Sequence, residues 1–429
     1  MSVPLDRLYH FVDQTAREIF GEPVLIYRFY PNGSKNINNL LPLYDCSWAT
    51  ARCGPALWCN DQEPLDYDYY SKHLLVSPIE MQLILRSLNI NSIITNLNYN
   101  RTIFRKGLLL HSEKRSNNVE KYIADNNLIP VYYWSHAVIA RDWFRYAEYE
   151  NFKKNVRKPF LIYNRSWTGT REYRLRFSDL LIEHGLADQC LTFCNPIENG
   201  QHYRDHTFVN PAWRPQHVLE HYFQPTTADS SASADFCTND YRATAIEVVL
   251  ETLFDDARLH LTEKSLRPIA CGQPFILAAT HGSLQYLRDY GFKTFDTVWN
   301  ENYDMIQDPY QRMLAIVEVM RDISTWSEEK RNKNFERMDT IARFNQNYFF
   351  SYEFQQAIIS ELKENLACAF EQLKTDPGFE KWLSWYEKNI SHPHIQEFLN
   401  TNQDKMLPTA DGIQQILSFI ENFSKKHTH

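Results

Sequence analysis

Short apolar runs alternate with polar turns and longer amphipathic stretches along most of this chain. ALWC at 56–59 runs into NDQEPLDYDYY. GLLLHSEKRSNNVEKYI at 107–123 passes from an apolar run through a polar loop into helical spacing, and IPVYYWSHAVIARDWFRYA at 129–147 repeats the scheme. Strand, loop and helix in that repeated order predict a parallel-sheet unit over roughly 20–150. The basic stretch NFKKNVRKP at 151–159 ends in Pro159, which biases Lys158 away from helix and marks a domain boundary at 155/156. A second series opens with PFLIYNRSWTGTREYRLRFSDLLIEHGL at 159–186 and continues through TAIEVVLETL at 244–253 and QPFILAATHGSLQYLRDYGF at 273–292. Between them QPTTADSSASADF at 224–236 has the composition of an exposed loop.

Beyond about residue 335 the period changes to that of helices. Phe354, Ile358, Leu362 and Leu366 recur four apart, an apolar stripe that must be covered. The expected architecture is α/β: two Rossmann-like domains at 1–155 and 156–335 facing a cleft, with a helical extension at 336–429. A chain of 429 residues is long enough for that division.

Composition narrows the class. Aromatic residues reach 14% while glycine numbers only 12, which argues against both disorder and a glycine-rich nucleotide fingerprint. No stretch approaches the roughly 20 apolar residues of a membrane span, and the first residues lack the apolar run of a signal peptide. The eight cysteines follow no repeating framework, so reduced thiols and a cytoplasmic location, without membrane contact, are expected. Net charge is −8, against strong whole-molecule attraction to nucleic acid, yet Arg141–Arg176 carries ten Lys/Arg against four acids. That stretch reads either as a solvated basic face or as a phosphate-facing stripe.

In parallel sheets, ligands collect at the carboxyl ends of strands, where loops and helix N-termini gather. The polar clusters of this chain fall at such ends. Asp61 and Glu63 follow ALWCN. His111 and Lys114 follow GLLL. Trp134 and His136 follow IPVYY, and the hydroxyl-rich loop from Asn164 to Arg171 carries Arg165 and Arg171. Thr262-Glu263-Lys264 opens a further helix. Guanidinium forks suit phosphate oxygens, and a helix N-terminus adds backbone donors. Thr262 suits an N-cap, and Glu263 beside it suits either the helix dipole or a ribose diol. Cys190, Cys194, His202 and His206 offer zinc-type ligands, although the central gap is shorter than in a two-Cys, two-His finger.

The stretch ETLFDDARLHLTEKSLRPIACGQPFI at 251–276 resembles the donor-binding segment of GT-B glycosyltransferases, closest in style to the fucosyltransferase-like pattern. The wider chain, with WCNDQEPLDYD, LLHSEK, YYWSHAVIARDWFRYAEY and FLIYNRSWTGTREYRLRF, is similar to phage-type proteins that resemble glycosyltransferases acting on phage DNA bases. The resemblance implies an enzyme moving a sugar from a UDP- or GDP-linked donor to a hydroxyl. The acceptor it implies is a hydroxylated or hydroxymethylated pyrimidine of DNA, with a surface or lipid-linked glycan as the alternative. It implies donor contacts from Arg165, Arg171, Thr262, Glu263 and Lys264, and a weaker match at Glu251. The acceptor would lie with His111, Lys114 and Trp134 in the first domain. Deprotonating that hydroxyl requires a positioned base, for which Asp61, Glu63 and His136 are the candidates. No metal or cofactor is expected, since arginine and lysine would neutralise the donor's diphosphate. A non-catalytic nucleotide-binding module is the competing class.

Overall fold

The computed structural model describes residues 106–219 and 235–380, with residues 12, 15, 18, 19, 25–28, 56–60 and 64–65. The chain is α/β with parallel sheets. It divides into two compact units, one of His136–Ala357 with the first three residues and one of Pro4–Ser135 with Ile358–His429.

The sheet of the second of these is β1 (Leu25–Arg28), β2 (Ala56–Asn60), β3 (Gly107–His111) and β4 (Leu128–Tyr132), parallel and adjacent in chain order. Between β3 and β4 runs helix α1 (Asn117–Asn126). Ser116 caps it by accepting from the Val119 amide at 3.1 Å, and Asn127 closes it in the left-handed region at φ 52°. Leu108, Leu109 and Leu110 are fully buried, as expected of a strand covered on both faces.

The other sheet has the order β10-β9-β5-β6, again all parallel: β5 (Lys158–Asn164), β6 (Cys190–Cys194), β9 (Thr244–Leu250) and β10 (Phe275–Ala278). A small antiparallel ribbon, β7 (Ile197–Glu198) with β8 (Gln201–His202), follows β6. Its helices are α2 (Ser135–Trp143), α3 (Tyr173–Glu183), α4 (Thr238–Ala243), α5 (Glu263–Ala270), α6 (Ser283–Asp289), α7 (Pro309–Ser324) and α8 (Glu328–Phe350). Every residue of β9 and β10 is buried, so both strands read as largely apolar runs. Glu247 is the one charged residue within β9, and it pairs with Arg267 at 2.6 Å.

α5 ends sharply. Gly272 adopts φ +59°, and a Cβ there would meet Gln346 Oε1 of α8 at 2.9 Å. Gln346 in turn donates to the Ala270 carbonyl at 2.8 Å, satisfying one of the helix's last acceptors.

The basic stretch at 151–157 is an extended strap. The amides of Asn155 and Arg157 donate to Arg242 and Ala243 carbonyls at 2.8 Å each. The Lys154 ammonium is taken up by the Tyr241 and Thr244 carbonyls and by Gln273, and burial of that head group pushes its pKa down to about 8. Lys158 donates to the Cys190 carbonyl. Two lysines of the stretch that reads either as a solvated basic face or as a phosphate-facing stripe are therefore bound internally.

The stripe of α9 (Tyr352–Leu373) is buried as its spacing requires, at Phe354, Ile358, Leu362 and Leu366. Asn365 on that helix donates to the Tyr132 carbonyl at 2.7 Å, and Glu361 accepts from the Trp134 amide at 3.2 Å. Among the described residues, no helix is long and apolar enough to cross a membrane.

Glu251, the residue after β9, is fully buried and accepts five hydrogen bonds: from the Thr252, Thr262 and Ser265 amides and from both hydroxyls of Thr262 and Ser265. Glu251→Ala would strand all five donors. It should lower unfolding free energy by about 3 kcal/mol or more in urea denaturation. A change under about 1 kcal/mol would show that α5 does not depend on this carboxylate.

Candidate functional site

The second sheet reverses its order at β5. β6 lies on one side of β5, with β9 and β10 on the other. Connections leave such a point in opposite directions and open a crevice beyond the carboxyl ends of the two strands. Here those ends are Asn164 and Leu250.

The first turn of α3 occupies part of the crevice. Arg174, fully buried, donates to the Ser166 carbonyl at 2.7 Å and to the Leu250 and Glu251 carbonyls at 2.8 and 2.9 Å. The Tyr173 hydroxyl donates to the Glu251 carbonyl at 2.7 Å. Both side chains are structural: they satisfy strand-end carbonyls that would otherwise be buried without donors.

Glu251 then fixes the start of α5 at the same edge. Thr262 is the N-cap, accepting from the Lys264 amide at 3.4 Å while its hydroxyl donates to Glu251 at 2.7 Å. Glu263 follows, 4% exposed, and its carboxylate meets the Lys264 ammonium at 2.7 Å and His136 Nδ1 at 3.3 Å. His136, 5% exposed on the first turn of α2, faces His260 edge-on with ring centroids 5.1 Å apart. Burial alone would raise the Glu263 pKa, but the Lys264 ammonium and the His136 imidazole outweigh it and hold the carboxyl well below the usual range. Three residues singled out from the sequence, His136, Glu263 and Lys264, thus form one cluster. Lys264 is its member toward solvent, with 21% of its side chain exposed.

The loop carrying Arg165 and Arg171 differs from the expected phosphate loop in one respect. Two of its amides are occupied. Glu198 on β7 accepts from the Trp167 amide at 2.6 Å, the Thr168 amide at 2.8 Å and the Ser166 hydroxyl. A carboxylate of the chain already sits where a phosphate would find backbone donors. Arg171 lies in the single turn Gly169–Arg171 before α3. Arg165 turns to the sheet, its guanidinium carbon 4.8 Å from the centre of the Tyr163 ring.

In the other unit, His111 ends β3 with its ring 5.7 Å from that of Tyr132. Lys114 lies 5.2 Å over the same Tyr132 ring and 4.0 Å from Glu361. Trp134 is fully buried, so its ring is core and not a stacking platform open to solvent. Asp61 and Glu63 lie outside the described residues.

The cysteine and histidine ligand set does not assemble. Cys190 and Cys194 stand at opposite ends of β6, about 13 Å of strand apart. His206 Nε2 donates to the Glu172 carboxylate at 2.7 Å, and its ring packs edge-on against Trp167. Among the described residues the one grouping with metal-like spacing is Asp179, Glu183 and His217, and the Arg176 guanidinium already pairs with both of its carboxylates.

Sequence reading overlooked Glu247, Tyr241 and Arg267, a buried network in which Arg267 donates to Glu247 at 2.6 Å and to the Tyr241 hydroxyl at 3.1 Å. The available signal was Glu247 itself, a lone carboxylate inside the otherwise apolar strand TAIEVVL, which demands a buried cationic partner. No family model, curated protein or solved structure matches this chain.

Burial pushes the His111 imidazole down to about 4, against the opposing effect of its hydrogen bond with the Glu113 backbone. Between about pH 6.5 and pH 4 the unfolded chain therefore binds the proton that the folded chain refuses, so stability falls as pH falls through that window. His111→Gln should flatten this limb, by up to about 3 kcal/mol between pH 7 and pH 4. Denaturation curves at each pH read this directly, and an unchanged slope would place a charged imidazole in the fold.

Proposed function

We propose that this chain is a nucleotide-sugar-dependent glycosyltransferase with the GT-B arrangement of two Rossmann-like domains, acting in the cytoplasm without metal or cofactor. The reading is carried by the His136–Glu263–Lys264 cluster at the start of α5, beside the carboxyl end of a strand that flanks the order reversal. It is supported by the resemblance of 251–276 to a donor-binding segment.

In this reading Lys264 is the group that touches the donor. Glu263 draws the ammonium to 2.7 Å and orients it, and His136 backs the carboxylate from the other side. Both partners are nearly closed to solvent, which makes His136 a positioning residue. A lysine held in one geometry offers a diphosphate oxygen a charge-assisted bond without the full entropic cost of ordering a free side chain. Deprotonation of the acceptor hydroxyl falls to Asp61 or Glu63.

The acceptor this reading favours is a hydroxylated or hydroxymethylated pyrimidine of phage DNA, which follows from the resemblance of the wider chain. A surface or lipid-linked glycan is the second reading. It is favoured by the net charge of −8 and by the internal binding of Lys154 and Lys158, which leave fewer cations for a phosphate backbone.

Titration calorimetry with UDP, GDP and their sugar conjugates tests the donor. Lys264→Ala should weaken the preferred nucleotide about tenfold or more, since the lost bond is worth roughly 1.5–3 kcal/mol. Asp61→Asn should lower turnover on a panel of modified DNA and glycans while donor affinity stays within about twofold. Equal donor affinity in folded Lys264→Ala would remove Lys264 from the site. Donor binding with no turnover on any acceptor would make the chain a binding module.

A further inference from the structure

We infer that Tyr146 and Tyr149, braced by Arg145 and flanked by Glu148 and Glu150, form a platform on which uncharged pyranose rings of a glycan stack.

One short turn builds the platform. After α2 the chain enters the 3₁₀ turn Ala147–Tyr149. The Ala147, Tyr149 and Glu150 amides close it, donating to the Phe144, Tyr146 and Ala147 carbonyls at 2.8, 3.2 and 3.3 Å. Phe144 and Ala147 are fully buried and anchor the turn from beneath. Side chains three apart eclipse in 3₁₀ geometry, so Tyr146 and Tyr149 share one face. They are 63% and 81% exposed, which leaves two large rings together in water. A single exposed aromatic residue is ordinary, but two on one face make a contiguous apolar surface that suits a ligand. Arg145 stiffens the first ring. Its guanidinium carbon lies 4.5 Å over the centre of Tyr146, and the group is itself tied to Asp142, donating to that residue's carbonyl at 2.5 Å and to its carboxylate at 3.4 Å.

Charge selects among the ligands that stack on rings. Glu148 and Glu150 are exposed on either side of Tyr149 in the chain, and Asp142 offsets Arg145. A nucleic-acid backbone would meet these carboxylates without a surplus of cations to hold its phosphates. A cationic ligand would find the Arg145 guanidinium already over the Tyr146 ring. The core of a protein interface is depleted of charged residues, whereas both rings here stand among them. An uncharged pyranose suits the whole arrangement. The C–H bonds of its apolar face lie against the negative faces of the rings, and its hydroxyls donate to the carboxylates beside them. None of these residues is among those read as donor or acceptor contacts. Saccharide binding here needs neither a nucleotide nor a transfer step, so it stands apart from the transferase reading.

The test is titration calorimetry and saturation-transfer NMR on the full chain, without nucleotide. The probes are hexasaccharides of glucose, mannose, galactose and N-acetylglucosamine, their monosaccharides, and oligothymidylate. Wild type should bind at least one hexasaccharide saturably, its monosaccharide more weakly, and oligothymidylate not at all. Tyr146→Ala and Tyr149→Ala should each weaken that hexasaccharide about fivefold or more, whereas Tyr149→Phe should stay within about twofold, because stacking needs the ring and not its hydroxyl. Met305→Ala, which removes another exposed apolar side chain, should bind as wild type. All four variants should keep the wild-type melting midpoint, since surface changes of this kind barely alter stability. No saturable binding of any hexasaccharide, equal binding in Tyr146→Ala/Tyr149→Ala, or lowered midpoints in the alanine variants would each overturn the platform. Oligothymidylate binding lost in the double variant would overturn it too, by making the surface one for nucleic acid. Sugar transfer to modified DNA by a chain that binds no glycan would refute the platform and leave the transferase reading standing. Glycan binding lost in the double variant, in a chain inert to every nucleotide sugar, would do the reverse.

Discussion

The contact on which the second sheet's functional edge depends is the Glu251 carboxylate at the start of α5. A charge with no exposure is tolerated only when its lone pairs are filled, and five donors from Thr252, Thr262 and Ser265 fill these. The consequence is geometric. Because the carboxylate belongs to the residue leaving β9 and the donors belong largely to the first turn of α5, strand end and helix start are held at hydrogen-bond distance. Glu263 and Lys264 are placed by this clasp before any ligand is considered.

The same device recurs around the edge and constrains what the edge can bind. Glu198 fills the amides of Trp167 and Thr168, and Asp304 accepts from the Leu284 amide at 3.1 Å at the start of α6. Helix starts and loop amides are the usual anion sites of parallel sheets, because unpaired N–H groups and the helix dipole act together. In this chain internal carboxylates satisfy those donors. On the proposed transferase reading, the donor's anion is therefore left to side-chain cations, whose environments differ. Arg174, Arg176 and Arg267 are committed to carbonyls or carboxylates, whereas Arg165 is left with an open nitrogen.

Much of the architecture was legible from periodicity. The strands at 107–111, 158–164, 244–250 and 275–278 and the stripe of α9 follow from apolar runs and four-residue spacing, because burial dictates both. The sheet order was not legible. Nothing local in TAIEVVL states that β9 lies beside β5 and not beside β6, since pairing is settled by the packing of whole crossovers. At the site, the sequence marked His136 and Glu263 for separate roles, and only the fold brings two segments more than a hundred residues apart to 3.3 Å. Glu198 shows the converse limit. A carboxylate in the ribbon NPIENGQH carries no local sign that it will fill a loop thirty residues earlier.

The buried Glu247–Arg267–Tyr241 network explains how the cluster on α5 acquires its orientation. A buried ion pair is seldom better for stability than apolar residues of the same shape, because desolvation offsets the attraction. What an ion pair does supply is a demand for one geometry. Arg267 must reach Glu247 on β9 and the Tyr241 hydroxyl at once, which permits little rotation of α5 about its axis. Lys264 precedes Arg267 by three residues and so lies on nearly the same side of the helix, one turn toward the strand end. A carboxylate inside a strand thereby sets the direction of a lysine at the sheet edge, while Glu251 sets its position along the helix axis. Rotation and translation of α5 are each fixed by a buried acid, and the direction of Lys264 follows from both.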